Sequence, residues 1–465
     1  MTMSSNTLFA RHALLPQGWA QNVLLQWDAQ GRYTHIASNT FAPPGALTVE
    51  GPLLPGMPNL HSHAFQRGFA GLSEFRGHAQ DSFWSWRQLM YRFAAKLAPE
   101  HLEAIATWLY VEMLEAGYTS VCEFHYLHHQ ADGTAYANDA ELSLALLRAA
   151  QNAGIGLTLL PVLYQHSGFG AQPPNDGQKR FIRSTDNMLH LLEQLQPLCE
   201  AQGAALGLAP HSLRAVAPDA LQAAVQALHA MNAHAPVHIH IAEQQAEVQA
   251  CLAWSGQRPV EWLLHHLPVD ARWCLVHATH MTAAEYRGAA ASLAVAGLCP
   301  LTEANLGDGL FDLPCWEDAG GRWGIGSDSH IAVNAAEELM VLEYGQRLHR
   351  QQRNVAASIH QPHVATHLML QAVRGGAQAA GRAIAGMAIG QQADLVSLHP
   401  DHVALAGLPA PEQLDAHVFA SSRTSAIDSV WVAGQVKVVK GQHRLHYPSQ
   451  HAFVRARTDL ISESP

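Results

Sequence analysis

The stretch Leu54-Pro55-Gly56-Met57-Pro58-Asn59-Leu60-His61-Ser62-His63 joins an apolar lead-in and turn-forming residues to two histidines one residue apart. In an extended strand alternate side chains share a face, so His61 and His63 point the same way. Two imidazoles so placed can chelate one metal ion. Composition alone also supplies such pairs. Histidine is 31 of 465 residues, which gives roughly two His-x-His pairs by chance. The chain has this pair and His238-Ile239-His240. What lifts the first pair above chance lies downstream, where three more apolar runs each end in a possible ligand or base. They are Pro236-Val237-His238-Ile239-His240-Ile241-Ala242-Glu243, Trp273-Cys274-Leu275-Val276-His277 and Trp323-Gly324-Ile325-Gly326-Ser327-Asp328. One ligand per strand end, gathered from distant parts of the chain, is how a closed parallel barrel assembles a site.

Working outward, further strands are expected over 119–126, 156–164, 205–210, 237–242, 274–277, 293–298 and 324–327. Helical periodicity separates most of them. Leu102, Ile105, Leu109, Met113 and Leu114 recur at three- and four-residue steps before Gly117. Helices are also expected over 142–153, 186–199, 218–232 (opened by Pro218), 260–265, 335–350 and 365–380. The alternation predicts an α/β protein whose residues 55–382 form a (β/α)8 TIM-like barrel. The flanks read differently. Asn22 to Trp27 is a strand followed by a turn at Asp28–Gly31, and Val430–Val432 with Val436–Val439 is a hairpin about Gly434. Residues 1–54 and 383–465 are expected to pair into one small β domain. The connection 64–98 is dense in aromatics (Phe65, Phe69, Phe75, Phe83, Trp84, Trp86, Tyr91, Phe93) and reads as a long loop, a pocket wall or lid.

Hydrophobic residues at 48% and charged residues at 14% suit a globular enzyme with many buried strands. The formal charge of −11 argues against nucleic acid and anionic membrane as partners. An anionic substrate would then need local arginines for capture. Six scattered cysteines, with no Cys-x-x-Cys pair, give no zinc-ribbon or redox signature. No apolar run is long enough to span a bilayer and no secretory leader opens the chain, so a cytoplasmic protein with reduced thiols is expected.

Pro55-Gly56-Met57-Pro58-Asn59-Leu60-His61-Ser62-His63, His240 with Glu243, His277, and Ser327-Asp328-Ser329 together resemble the amidohydrolase superfamily in its deaminase branch. Within that branch three motifs are similar to the formimidoylglutamate deiminases of histidine breakdown. They are His61-Ser62-His63-Ala64-Phe65-Gln66-Arg67, Ala209-Pro210-His211-Ser212-Leu213-Arg214-Ala215-Val216 and His238-Ile239-His240-Ile241-Ala242-Glu243-Gln244. The likeness spans nearly the whole chain. It implies one divalent ion, usually zinc, held by His61, His63, His240 and Asp328. Chemistry makes the same demand. Three neutral imidazoles and one carboxylate leave the site cationic, which brings bound water to a pKa of about 7 and makes hydroxide available. No lysine stands at strand four, where His211 sits, so a mononuclear site is expected. By resemblance Glu243 moves a proton from water to the leaving nitrogen, against the alternative of a surface glutamate opening a helix. His277 is expected to hydrogen-bond the attacking oxygen or the tetrahedral centre, and Asp328 to act as both ligand and proton acceptor. His238, one step deeper than His240, also reads as a satisfied core histidine.

The implied reaction is hydrolytic loss of ammonia from N-formimino-L-glutamate, giving N-formyl-L-glutamate. A small dicarboxylate calls for arginine, whose fork pairs with carboxylates bidentately. Arg214, with His211 beside it, and Arg87 are the candidates, although any one arginine is more often a solvated surface charge. Gln66 is placed to face the head group or the adjacent carboxylate, and Tyr126 to donate its hydroxyl. The family implies a homodimer. Two other readings stand beside this one. A deaminase of a cyclic amidine or nucleobase (guanine, cytosine or triazine type) would show an aromatic sandwich and no paired arginines. A non-catalytic barrel would have lost its ligands.

Overall fold

The computed structural model describes residues 6–74, 83–421 and 424–462, so Phe75 of the aromatic connection lies outside the described residues. Eight strand positions surround the His61 run. They are β1 (Met57–Ser62), β2 (Tyr118–His125), β3 (Gly156–Leu163), β4 (Ala205–Leu206 with Ala209–Pro210), β5 (Val237–Ile241), β6 (Trp273–His277), β7 (Val295–Leu298) and β8 (Arg322–Ile325). Every residue of β1, β2, β3, β5, β6 and β7 is buried. That is the pattern of parallel strands covered on both faces. Neighbours pair in parallel from β1 to β4 and from β5 to β8. Isolated bridges Leu208–Val237 and Ser212–His240 join the β4 segment to β5, and Ser62–Asp328 joins the exit of β8 to β1.

That last seam sets the geometry of the site. A Cβ at Gly326 would lie 2.7 Å from the His61 Cβ and 2.8 Å from its backbone nitrogen, so only glycine lets the two strands approach this closely. Beneath the histidine pair, Asn59 clamps the seam. Its Nδ2 donates to Ser327 Oγ at 2.6 Å and its Oδ1 accepts from the Ser327 N–H at 3.1 Å. Strand four, expected as one run, is two short pieces, Ala205–Leu206 and Ala209–Pro210, both paired in parallel with β3. The Gly207 N–H still donates to Leu159 of β3 at 2.9 Å, whereas the Leu208 N–H turns to Pro236 at 3.1 Å.

The amphipathic helix at Pro99–Glu115 buries Leu102, Ile105, Leu109, Met113 and Leu114. Connection 64–98 departs from the expected loop. It holds a 3-10 turn at Ala64–Phe69 and an α-helix at Phe83–Lys96. Aromatics crowd several faces of that helix and obscure the apolar stripe in the sequence, although Met90, Phe93 and Ala94 are buried.

Both ends of the chain enter one nine-stranded sheet. Leu53–Pro55, immediately before β1, pairs antiparallel with Leu395–Leu398, which continues into the expected hairpin of Ile427–Val432 and Gln435–Val439. Leu8, Val23, Leu25, Trp27, Leu395 and Trp431 belong to a core of this sheet's own. The C-terminal segment is not all strand. Helices occupy Ala410–Ala420 and His446–Ser462, and the second sets Phe453 against Trp108 of the Pro99–Glu115 helix, ring centroids 6.3 Å apart. Among the described residues no helix is long and apolar enough to cross a membrane.

Candidate active site

His61 and His63 leave β1 on one face, His240 leaves β5, and Asp328 follows β8. Their ligand atoms converge. His61 Nε2 lies 3.1 Å from His63 Nε2 and 3.0 Å from His240 Nε2, and Asp328 Oδ1 is 3.4 Å from His61 Nε2 and 3.3 Å from His63 Nε2. The hydrogen bonds behind the rings fix which nitrogens carry protons. His63 Nδ1 is 2.8 Å from the Phe124 carbonyl and His240 Nδ1 is 3.2 Å from the His211 carbonyl. Carbonyls only accept, so each Nδ1 donates, and each neutral ring turns an Nε2 lone pair inward. Burial holds His61 at about 3, and it also lowers His63 and His240, so the rings stay neutral. Burial would raise Asp328, but its hydrogen bond to His61 and the nearness of His61 and His277 hold its carboxyl below the usual range. Lone pairs crowded this closely beside a carboxylate repel one another unless a cation lies between them. The donor set fits one divalent ion.

A second group adjoins these four. His277 Nε2 stands 3.7 Å from Glu243 Oε1 and 3.8 Å from Asp328 Oδ2, and its Nδ1 is 3.2 Å from Glu303 Oε1. Burial would lower the His277 pKa, but Glu243, the Glu303 hydrogen bond and Asp328 push it up to about 10. The Glu243 carboxyl is raised by burial, against the pull of His277 and Arg214. Asp308 is raised by burial and by the nearby Glu243. Backbone strain gathers at the same strand ends. Ala242, His277 and Asp328 have φ of 51°, 65° and 45°, a left-handed conformation that non-glycine residues avoid unless their surroundings enforce it.

The cavity beside these groups has an empty volume of ≈ 560 Å³ and is lined by every residue expected to contact substrate, namely Gln66, Arg87, Tyr126, His211 and Arg214. It also touches His63, His240, Glu243, His277 and Asp328. Gln66 Nε2 donates to the Tyr126 hydroxyl at 2.8 Å. Burial would lower the Arg214 pKa, but Glu247 and then Glu243 hold it above its ordinary value. His238 stands apart, its Nε2 donating to the Ala379 carbonyl at 2.8 Å while its buried Nδ1 finds no partner among the described residues, so it is a core histidine only half satisfied.

Several neighbours escaped the sequence reading. Glu123 accepts from Ser62 Oγ at 2.6 Å, the Ala64 N–H at 2.6 Å and the Tyr110 hydroxyl at 3.1 Å, pinning the turn that follows His63. A lone carboxylate inside an apolar strand was its signal. Glu303 sits on the short helix Pro300–Leu306, which carried no strand-end signature. Tyr164, which also lines the cavity, follows β3 just as Tyr126 follows β2, and the strand-end rule applied evenly would have found it.

Comparison with known proteins agrees with this geometry. The amidohydrolase family model matches residues 53–437. The chain is 51% identical to the formimidoylglutamate deiminase of Pseudomonas aeruginosa, covering 98% of this chain and 100% of that one. It is similar to the crystal structure of an amidohydrolase from Brucella melitensis, with a TM-score of 0.93 and 48% identity over 98% of this chain and 100% of the other. The fold is shared with an adenosine deaminase from Xanthomonas campestris solved with bound zinc, at a TM-score of 0.75 and 21% identity over 97% of this chain and 98% of that one. With its metal-ligand set, strand-end geometry and sequence in agreement, the chain belongs to the amidohydrolase family.

Proposed function

We propose that this protein hydrolyses N-formimino-L-glutamate to N-formyl-L-glutamate and ammonia, as a step of histidine degradation. The observation that carries the reading is a single cavity lined by both a histidine–aspartate cluster and two arginines. His61, His63, His240 and Asp328 hold one divalent ion, zinc by preference. That ion, when bound, supplies Lewis acidity and makes water acidic enough to lose its proton near neutral pH. Glu243 and Asp328 would each take up one of the two protons that the attacking water gives up. Glu243, whose carboxyl burial pushes up, returns that proton to the departing nitrogen, so that ammonia leaves as the carbon gains an oxygen. His277, held in its cationic form, donates to the oxygen that gains charge at the tetrahedral centre. The carboxyls around His277 also favour a cationic formamidinium head. At the other end Arg214 and Arg87 pair with the carboxylates, with His211, Tyr126 and Gln66 completing the grip.

The ring of parallel pairings is read as a (β/α)8 barrel over 55–382, with 1–54 and 383–465 as a small domain. The protein is placed in the cytoplasm and expected as a homodimer, which sedimentation would test. Purified, metal-loaded protein should release ammonia from N-formimino-L-glutamate, and the Glu243→Gln variant should not. Equal release by the two proteins removes the reading. A cyclic amidine is disfavoured, because Arg87 and Arg214 lining one cavity match carboxylates that a neutral ring lacks.

A further inference from the structure

One wall of the cavity carries a group of residues with no role so far. Tyr164 follows β3, and Tyr91 lies on the Phe83–Lys96 helix; both line the cavity alongside Arg87 and Arg214. Behind them, fully buried, is Gln178 of the 3-10 turn Asp176–Gln178. Its Nε2 donates to the Tyr164 hydroxyl at 2.7 Å and to the Tyr91 hydroxyl at 3.3 Å. The amide cannot be turned around, because its Oε1 accepts from the Asn175 backbone N–H at 2.9 Å. The turn is fitted to this task. Asn175 Oδ1 accepts from the Gly177 N–H at 3.0 Å, and a Cβ at Gly177 would lie 2.8 Å from the Tyr91 ring.

The proton count follows. An amide nitrogen only donates, so both phenolic oxygens receive from Gln178. Sharing that one donor, the Tyr91 and Tyr164 hydroxyls are close neighbours. One of them can donate to the other, but the exchange cannot be mutual. At least one phenolic hydrogen is therefore left over beside the cavity. Burial raises the Tyr164 phenol above its usual range, so it keeps that proton. With the Arg87 guanidinium 5.3 Å over the Tyr91 ring and Arg214 nearby, this corner offers donors and positive charge. Such a corner suits a carboxylate.

Distance selects which one. The Tyr164 ring is 4.6 Å from that of His211, and the His211 ring is 4.9 Å from that of the ligand His240. On that path the His211 ring stands between the Tyr164 ring and His240. The α-carboxylate is tied to the carbon next to the formimino nitrogen, whereas the γ-carboxylate reaches further. We propose that Tyr91 and Tyr164 bind the γ-carboxylate of the substrate, and that Gln178 is the positioning residue that turns a phenolic hydrogen toward it. This rests on N-formimino-L-glutamate being the substrate.

The test compares that substrate with N-formimino-2-aminobutyrate, which keeps the head and α-carboxylate and lacks the γ-carboxylate. Gln178→Glu is nearly isosteric and still accepts from Asn175, but it draws both phenolic hydrogens to itself. Tyr164→Phe removes one donor outright. On the dicarboxylate each variant should lose at least about tenfold in kcat/KM, the worth of a hydrogen bond to a charged group. The loss should fall in KM, with kcat within about threefold. On the analogue each should match wild type within about twofold. Equal losses on both substrates, or a Gln178→Glu variant that behaves as wild type, would overturn the assignment. Wild-type protein that releases no ammonia from the dicarboxylate overturns the substrate reading itself, a distinct failure visible before any variant is made.

Discussion

The two ends of the cavity are built on different plans. At one end His61, His63, His240 and Asp328 come from the ends of β1, β5 and β8, each held by backbone that neighbouring strands fix, with ligand atoms 3.0–3.4 Å apart. At the other end Arg87 and Tyr91 come from a helix, Arg214 from the segment after β4, and Gln178 from a short turn. On the proposed reading the first end would take the formimino head and the second, with its two arginines, the carboxylates. Chemistry that must be held to a fraction of an ångström sits on strands, and selection among substrates sits on connecting segments.

The largest effects should come from the strand-built end. Glu243→Gln should lower kcat by about 10²–10⁴-fold while bound metal and KM stay near wild type, because only proton transfer is lost. A metal-depleted variant would instead point to a structural role. At the arginine end, Arg214→Glu should reduce kcat/KM for the dicarboxylate by about 30- to 10³-fold, the range for breaking a buried charge pair. A neutral ring substrate should barely register the change; equal sensitivity would erase the division between the ends. Glu303→Gln keeps the shape but weakens the hold on His277 Nδ1 and should lower kcat about 10- to 100-fold with little change in KM. A change confined to KM would count against it. Asn59→Ala, measured by denaturant unfolding, should cost about 1–3 kcal/mol for buried groups left unpaired at the β1–β8 seam.

The smallest effect separates the two histidines of β5. Burial holds His238 at about 4, so the unfolded chain binds the proton first as the pH drops below its ordinary value of about 6.5. Its contribution to stability is full above that pH and is lost as the pH falls toward 4. His238→Asn, which can still donate to the Ala379 carbonyl, should flatten the fall in Tm between pH 7 and 4.5. An unchanged slope would show that His238 does not titrate on unfolding.

The same contrast explains what could be read from the chain. His61, His63, His240, His277 and Asp328 were legible because each ends an apolar run, and the period of two that defines a strand also defines which side chains share its face. Arg87 and Arg214 were legible partly through family likeness and partly because a dicarboxylate calls for arginine, while no periodicity says where a connecting segment will bring one. The helix at Phe83–Lys96 stayed hidden because its aromatics blur the stripe that marks a helix. Glu303 and Gln178 were invisible for a related reason. Each acts through a side chain far from it in sequence, His277 in one case, Tyr91 and Tyr164 in the other.

The central claim is that four side chains scattered along the polypeptide, His61, His63, His240 and Asp328, hold one cation. Elemental analysis of purified protein tests it directly, with wild type compared against a His61→Asn/Asp328→Asn double variant shown to be folded. One divalent ion per chain in the wild type, absent from the variant, is the expected result. Wild-type protein with no ion, or a variant that retains it, would contradict the account.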